Sequence, residues 1–269
     1  MSPFEQSLIL GVVQGLSEFL PISGDGHLAL AQLLLEIEGG GLALSVLLHA
    51  GTLLAAAVYF RERLSRVLGD LGQYLRRGRL PAPAAAGWDA VLVLVAALPT
   101  GLIGLLLRNA VDGWTEQPLV TGFGFVVTAC LLTSTLWTKP GTLTSPSLSG
   151  ALLLGVAQGL AVAPGVSRSG ITIVAALWLG LRAERAFELS ILMSMPAVAA
   201  AMLLEVLTDA PMLSHALSYG AGIITALGAG YLSLELMRRV MVAGGIAWFA
   251  LWVLPLALAT LALAKAWPG

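Results

Sequence analysis

The chain runs to 269 residues, 58% of them hydrophobic and 11% charged, with a net charge of -1 and a mean hydropathy of +0.90. A soluble domain carries about 25% charged residues, so this composition excludes an ordinary water-facing globule. The near-neutral charge excludes a broad basic field for nucleic acid. What remains is a helical bundle whose solvent is lipid.

In chain order, residues 4–35 read as an apolar helix, a polar break and a second apolar helix. Each half is short for a crossing of about 20 residues, so a re-entrant hairpin is expected, dipping to mid-membrane and returning. Its first apolar run, Leu8 to Leu20, contains Gln14 and Glu18 and has no basic stretch before it, so no cleavable signal peptide is expected. A first span is predicted over Leu44–Phe60. Residues 61–87 then form the main polar connection, with a flexible Pro81-Ala82-Pro83-Ala84-Ala85-Ala86-Gly87 stretch. Spans over Asp89–Leu107 and Pro118–Trp137 follow. The single cysteine, Cys130, lies in the second of these and is read as space-filling. Residues 149–180 repeat the helix–break–helix pattern, and spans over Phe187–Leu207, Leu213–Leu236 and Gly244–Ala264 complete the chain.

The two hairpins are copies. Gly11-Val12-Val13-Gln14-Gly15-Leu16 recurs 144 positions later as Gly155-Val156-Ala157-Gln158-Gly159-Leu160. At the same offset, Ser23-Gly24-Asp25-Gly26 meets Ser167-Arg168-Ser169-Gly170, and at an offset of 145 Leu44-Ser45-Val46-Leu47-Leu48 recurs as Leu189-Ser190-Ile191-Leu192-Met193. Two homologous halves follow, about 4–137 and 149–264, each a hairpin plus three spans. Three is odd, so the second half enters the membrane inverted and both tips meet near the midplane. The predicted fold is an all-α integral membrane protein with six transmembrane helices and two re-entrant helical hairpins in an inverted-topology repeat.

Basic residues support that count. Arg61, Arg63, Arg66, Arg76, Arg77, Arg79, Lys139, Arg182, Arg185, Arg238 and Arg239 fall on one face. Arg108 and Lys265 fall on the other, and Arg168 sits in a tip. Positive charge marks the cytoplasmic side, which places both termini outside.

The first tip reads Gln14-Gly15-Leu16-Ser17-Glu18-Phe19-Leu20-Pro21-Ile22-Ser23-Gly24-Asp25-Gly26-His27. Gln14 and Glu18 share a helix face at i, i+4, and Pro21 stops that helix. The Ser-Gly-Asp-Gly turn opens the next helix, whose first N–H groups are free for an anion and whose first turn carries His27. The second tip, Ala163-Pro164-Gly165-Val166-Ser167-Arg168-Ser169-Gly170-Ile171-Thr172, offers the hydroxyls of Ser167, Ser169 and Thr172. It adds in Arg168 a planar fork of donors suited to phosphate. Ionisable groups at membrane depth face a cavity or the protein interior. Two helix N-termini and an arginine there make an anion site, and Glu18 beside them points to a bridging divalent cation. Gln14 and Gln158 serve equally well as hydrogen bonds between the hairpins. His49 either lines the cavity or packs; Ser17 and Ser190 are read as packing hydroxyls, and Glu188 as a solvated carboxylate. The role of Asp25 stays open.

These motifs resemble the undecaprenyl-diphosphate phosphatase family, the bacitracin-resistance type unrelated to the PAP2 phosphatases. The resemblance lies in Gln14-x-x-x-Glu18 with Phe19-Leu20-Pro21-Ile22-Ser23 and Gly26-His27, in Pro164 through Thr172, and in His49-Ala50-Gly51-Thr52-Leu53-Leu54-Ala55. It covers Gly11 to about Trp252. It implies removal of the terminal phosphate of undecaprenyl diphosphate at the outer face of the bacterial cytoplasmic membrane, which recycles the lipid carrier for peptidoglycan. It also implies dependence on Mg or Ca, and a homodimer. By the same resemblance Glu18 organises the metal, Arg168 holds the phosphates, and His27 is nucleophile or general acid–base. Gln14, Ser23, Ser167, Ser169 and Thr172 line the substrate.

Two positions depart from the family pattern. Gly24 stands where a second serine is usual, and Ser45 stands where an acid is common. With that serine absent, His27 or a metal-activated water is the expected attacker. The rival reading is a lipid-carrier flippase or transporter, since inverted repeats with meeting hairpins are also transporter architecture.

Overall fold

The structure, a computed structural model, describes residues 2–35, 37, 41–83, 85–115, 117–208 and 219–266. Eleven α-helices run through them: α1 (Pro3–Phe19), α2 (Gly24–Leu34), α3 (Gly41–Tyr59), α4 (Arg61–Arg76), α5 (Trp88–Thr115), α6 (Pro118–Ser134), α7 (Leu148–Leu160), α8 (Arg168–Trp178), α9 (Ala183–Thr208), α10 (Gly220–Val242) and α11 (Ala250–Ala266). Among the described residues there is no strand beyond a single bridge between Leu143 and Leu181.

Five helical stretches are long and apolar enough to cross a membrane: Trp88–Val111, Pro118–Trp137, Ala183–Leu204, Gly220–Val242 and Ile246–Lys265. The sixth predicted span is α3, which continues into α4 through a 75° bend. Of the span predicted at Leu213–Leu236, residues 213–218 lie outside the described residues, Tyr219 precedes α10 and the rest falls in α10. Leu98, Leu106, Ile224, Leu232, Leu251 and Leu258 stand exposed on the outer faces of α5, α10 and α11. That surface suits acyl chains.

α4 corrects the expected loop over 61–87. Leu64, Val67, Leu68, Leu71 and Leu75 recur at helical spacing between charges, an amphipathic pattern that a search for continuous apolar runs overlooks. Val67 is buried. The far end of the stretch expected to be flexible is tied back to α4, where Asp70 Oδ2 accepts from Gly87 N at 2.7 Å; Ala84 within it lies outside the described residues. Glu188 is not simply solvated either. It pairs with Arg63 Nε at 2.9 Å and Arg185 Nη1 at 2.6 Å. Both arginines also reach the buried Asp89 (Arg185 Nη2 to Oδ1, 2.8 Å), tying α4, α5 and α9 together. Cys130, expected to fill space, is exposed.

Both hairpins begin with a capped helix. Ser2 and Glu5 form a capping box ahead of α1, with Pro3 in its first turn. Ser147 Oγ accepts from Gly150 N at 3.1 Å ahead of α7. At 17, 11, 13 and 11 residues, α1, α2, α7 and α8 reach between about 17 and 26 Å, short of a core about 30 Å thick. Each hairpin packs against a span from the other part of the chain: α1 lies on α10, and α7 on α5. The repeated glycines make the approach. A Cβ on Gly11 would stand 2.4 Å from the Gly222 carbonyl oxygen, and one on Gly155 would stand 2.1 Å from that of Ala96. Small residues let membrane helices close to this distance. α6 pairs with α11, and α3 meets α9.

Candidate active site

Leu20-Pro21-Ile22 breaks the first hairpin, and α2 opens at Gly24. Between them Ser23 is held at φ 70°, ψ 93°. A positive φ is uncommon for a residue with a Cβ and carries strain at functional turns. Gly24 fits directly beside Glu18, since a Cβ there would lie 3.1 Å from Glu18 Oε2 and 3.2 Å from its Cα.

The second break is built on α6. Gly165, at φ 84°, lies so close to α6 that a Cβ would stand 2.1 Å from the Thr121 carbonyl oxygen. Thr128 Oγ1 donates to Gly165 O at 2.8 Å and accepts from Ser167 N at 2.9 Å. Ser167 caps α8 by accepting from Gly170 N at 3.0 Å. Arg168, the first residue of α8, is thereby aimed at the other tip.

There the two tips join. The Arg168 guanidinium pairs through Nη2 with Glu18 Oε1. Glu18 Oε2 accepts from Gln14 Nε2 at 2.9 Å and lies 3.6 Å from His49 Nε2. His49 Nε2 is also 3.4 Å from Asp25 Oδ1, while its Nδ1 donates to Ser45 O at 2.8 Å. The Glu18 side chain is 6% exposed and that of Arg168 25%, whereas Asp25 stands open at 66%. Ser169 Oγ adds a second tie, donating to Leu20 O at 3.1 Å.

The expected site residues divide accordingly. Gln14, Glu18 and Arg168 meet. Ser167, Ser169 and Thr172 lie in the second tip, but their hydroxyls are already employed in building it. Thr172 Oγ1 donates to Arg168 O at 2.7 Å and sits 2.6 Å from Ser190 Oγ. Ser23 is buried in the first tip and its hydroxyl caps nothing. His27 turns away. Its Nδ1 donates to Ser23 O at 2.9 Å, and its Nε2 accepts from Trp252 Nε1 at 3.0 Å. α2 begins at Gly24, so Asp25 and His27 are two helical steps apart, about 200° around the axis. Asp25 meets His49, so His27 points to the far side. The imidazole beside Glu18 is that of His49, whose orientation the sequence left open between cavity and packing. Ser190, read as a packing hydroxyl, contacts the second tip.

Among the described residues no three His, Cys, Asp or Glu side chains converge to cage a metal. The donors at the tips nevertheless suit a hard cation, which takes one or two carboxylates and completes its shell from phosphate and water. Gln14 is fully buried beside Glu18, and among the described residues its Oε1 has no hydrogen-bond partner. Such an orphaned acceptor calls for a cation or a water.

The sequence profile of the family described as bacitracin resistance protein BacA matches residues 7–259. The chain is 36% identical over 256 residues to an undecaprenyl-diphosphatase of Treponema denticola, covering 94% of each protein. It is 39% identical over 249 residues to one from Methanosphaera stadtmanae (87% of this chain, 88% of that protein). To one from Rubrobacter xylanophilus it is 39% identical over 238 residues (86% and 87%).

Proposed function

The chain belongs to the bacitracin resistance protein BacA family, and from that premise we propose that it hydrolyses undecaprenyl diphosphate to undecaprenyl phosphate and inorganic phosphate. The observation that carries the reading is the contact of Arg168 in one tip with Glu18 in the other. Among the described residues Glu18 alone is hydrogen-bonded to the guanidinium, which leaves its remaining donors for phosphate.

In the reaction, water oxygen bonds to the terminal phosphorus as the bridging P–O bond breaks. The bridging oxygen keeps the electron pair and leaves on undecaprenyl phosphate. Phosphoryl transfer asks mainly for positioning and for stabilisation of the equatorial charge, and Arg168 supplies both. Glu18 holds Arg168 in place and is itself held by Gln14 and His49. Water's proton has carboxylate acceptors nearby in Glu18 and the more open Asp25. A divalent metal, Mg or Ca, would be held by Glu18 and Gln14 Oε1 and would neutralise phosphate oxygens. The prenyl tail stays in lipid between helices while the diphosphate enters the tips.

The asymmetry of arginine and lysine supports a cytoplasmic basic face, including α4. The site then serves the outer face of the bacterial inner membrane. The family resemblance supports a reading that includes resistance to bacitracin and a homodimer. A flippase or transporter is the second reading, favoured by the exchanged packing of α1 on α10 and α7 on α5.

The test is phosphate release by the folded protein in detergent, given farnesyl or undecaprenyl diphosphate with Mg or Ca. Release that EDTA abolishes supports the enzyme. No release above background moves the assignment to transport.

A further inference from the structure

Resting on the diphosphatase reading, we infer that His27 and Trp252 form a positioning clasp: His27 acts by holding the first tip in shape, and Trp252 of α11 is its functional partner.

Three observations converge. First, both ring nitrogens of His27 are committed. An indole N–H only donates, so Nε2 accepts from Trp252 and the ring's proton sits on Nδ1, which donates to Ser23 O. Second, that carbonyl belongs to the residue with positive φ. Ser23 O also accepts from His27 N at 3.1 Å, so the side chain and backbone of His27 together close the strained turn. The next residue, Gly24, is the one that abuts Glu18. Third, the ring is fixed from outside the hairpin. Phe125 of α6 is fully buried and meets it edge-on at 5.5 Å, and Trp252 lies nearly parallel to it, 13° between planes.

Trp252 is 59% exposed in a stretch long and apolar enough to cross a membrane. An indole N–H among acyl chains has no water to turn to, and His27 Nε2 is its acceptor. The hydrogen bond therefore ties the first tip to α11. Displacement of the tip moves Gly24 against Glu18 and with it the Arg168 pair. A misplacement of about 1 Å at a reacting centre costs up to about a hundredfold in rate.

The experiment compares H27A, H27Q, W252F and the double variant H27A/W252F in the full-length protein, by kcat and KM on undecaprenyl diphosphate. Gln keeps an acceptor for the indole; Phe keeps a ring and removes the donor. The expected result is a fall in kcat for H27A and W252F with KM little changed, substantial recovery in H27Q, and little added loss in H27A/W252F. The Trp252 indole resonance in nitrogen-15 Trp-labelled protein, identified by its absence in W252F, should shift in H27A and stay in place in H27Q. H27Q as inactive as H27A, with W252F at wild-type rate, overturns the clasp and returns His27 to the chemistry. An indole signal indifferent to H27A also overturns it. That signal needs no turnover, so a wild-type protein that releases no phosphate defeats the diphosphatase reading while the clasp is still judged on its own.

Discussion

Arg168 and Glu18 lie 150 positions apart, one at the first residue of α8 and the other near the end of α1, and their side chains form an ion pair. Glu18 is nearly sealed and Arg168 a quarter open, so the cation presents its free edge while the carboxylate anchors it. Removing one such donor from a developing anion typically costs about 100- to 1000-fold in kcat. R168A is expected to fall in that range. R168K should stay close to it, because an ammonium cannot hold Glu18 and a phosphate with one planar fork. Steady-state phosphate release, with a melting curve to confirm folding, checks both.

The orphaned oxygen of Gln14 makes a metal prediction. Q14E adds a charged oxygen ligand beside Glu18 and should lower the Mg concentration giving half-maximal rate. Q14L should raise it; because it also removes the Gln14 Nε2 hydrogen bond to Glu18, a melting curve must show that the variant is folded. Activity titrated against free Mg separates the two. Identical midpoints in all three proteins would count against a metal at Gln14.

Close packing of the hairpins predicts a stability pattern within the repeated text. G155A pushes a methyl to 2.1 Å from the Ala96 carbonyl oxygen, an overpacking that costs about 1–3 kcal/mol. G101A sits in α5 with nothing within 4 Å of the new methyl and should gain up to about 1 kcal/mol from helix propensity. Thermal unfolding in one detergent should therefore move in opposite directions for the two.

At the basic face, Asp89 takes both Arg63 and Arg185 while 5% exposed. D89A leaves two partly buried arginines with Glu188 as their shared carboxylate among the described residues. Breaking a buried pair from one side costs about 3–5 kcal/mol. The expected outcome is a large drop in melting temperature, with activity per folded molecule nearly preserved because the network lies away from the tips.

Much of this was legible in the sequence because its signals are local. Pro21 and Pro164-Gly165 follow the ends of short apolar helices, and the glycine text at 11–16 and 155–160 announces two equivalent close approaches. α4 escaped because its apolar residues are spaced at helical intervals among arginines. His27 and His49 escaped for a geometric reason: which imidazole faces Glu18 depends on α2 starting at Gly24 and on α3 lying beside that start. A helix beginning a few residues later would free His27 to converge with the acid. Ser190 reads as any membrane serine until Thr172 of another helix is seen against it.

The most direct measurement is inorganic phosphate released from undecaprenyl diphosphate by purified wild type, E18Q and R168A in Mg. The two-tip account predicts rapid release by wild type and loss of at least about a hundredfold in each variant, all three remaining folded. A folded wild type that releases none, or variants that match it, would contradict the account.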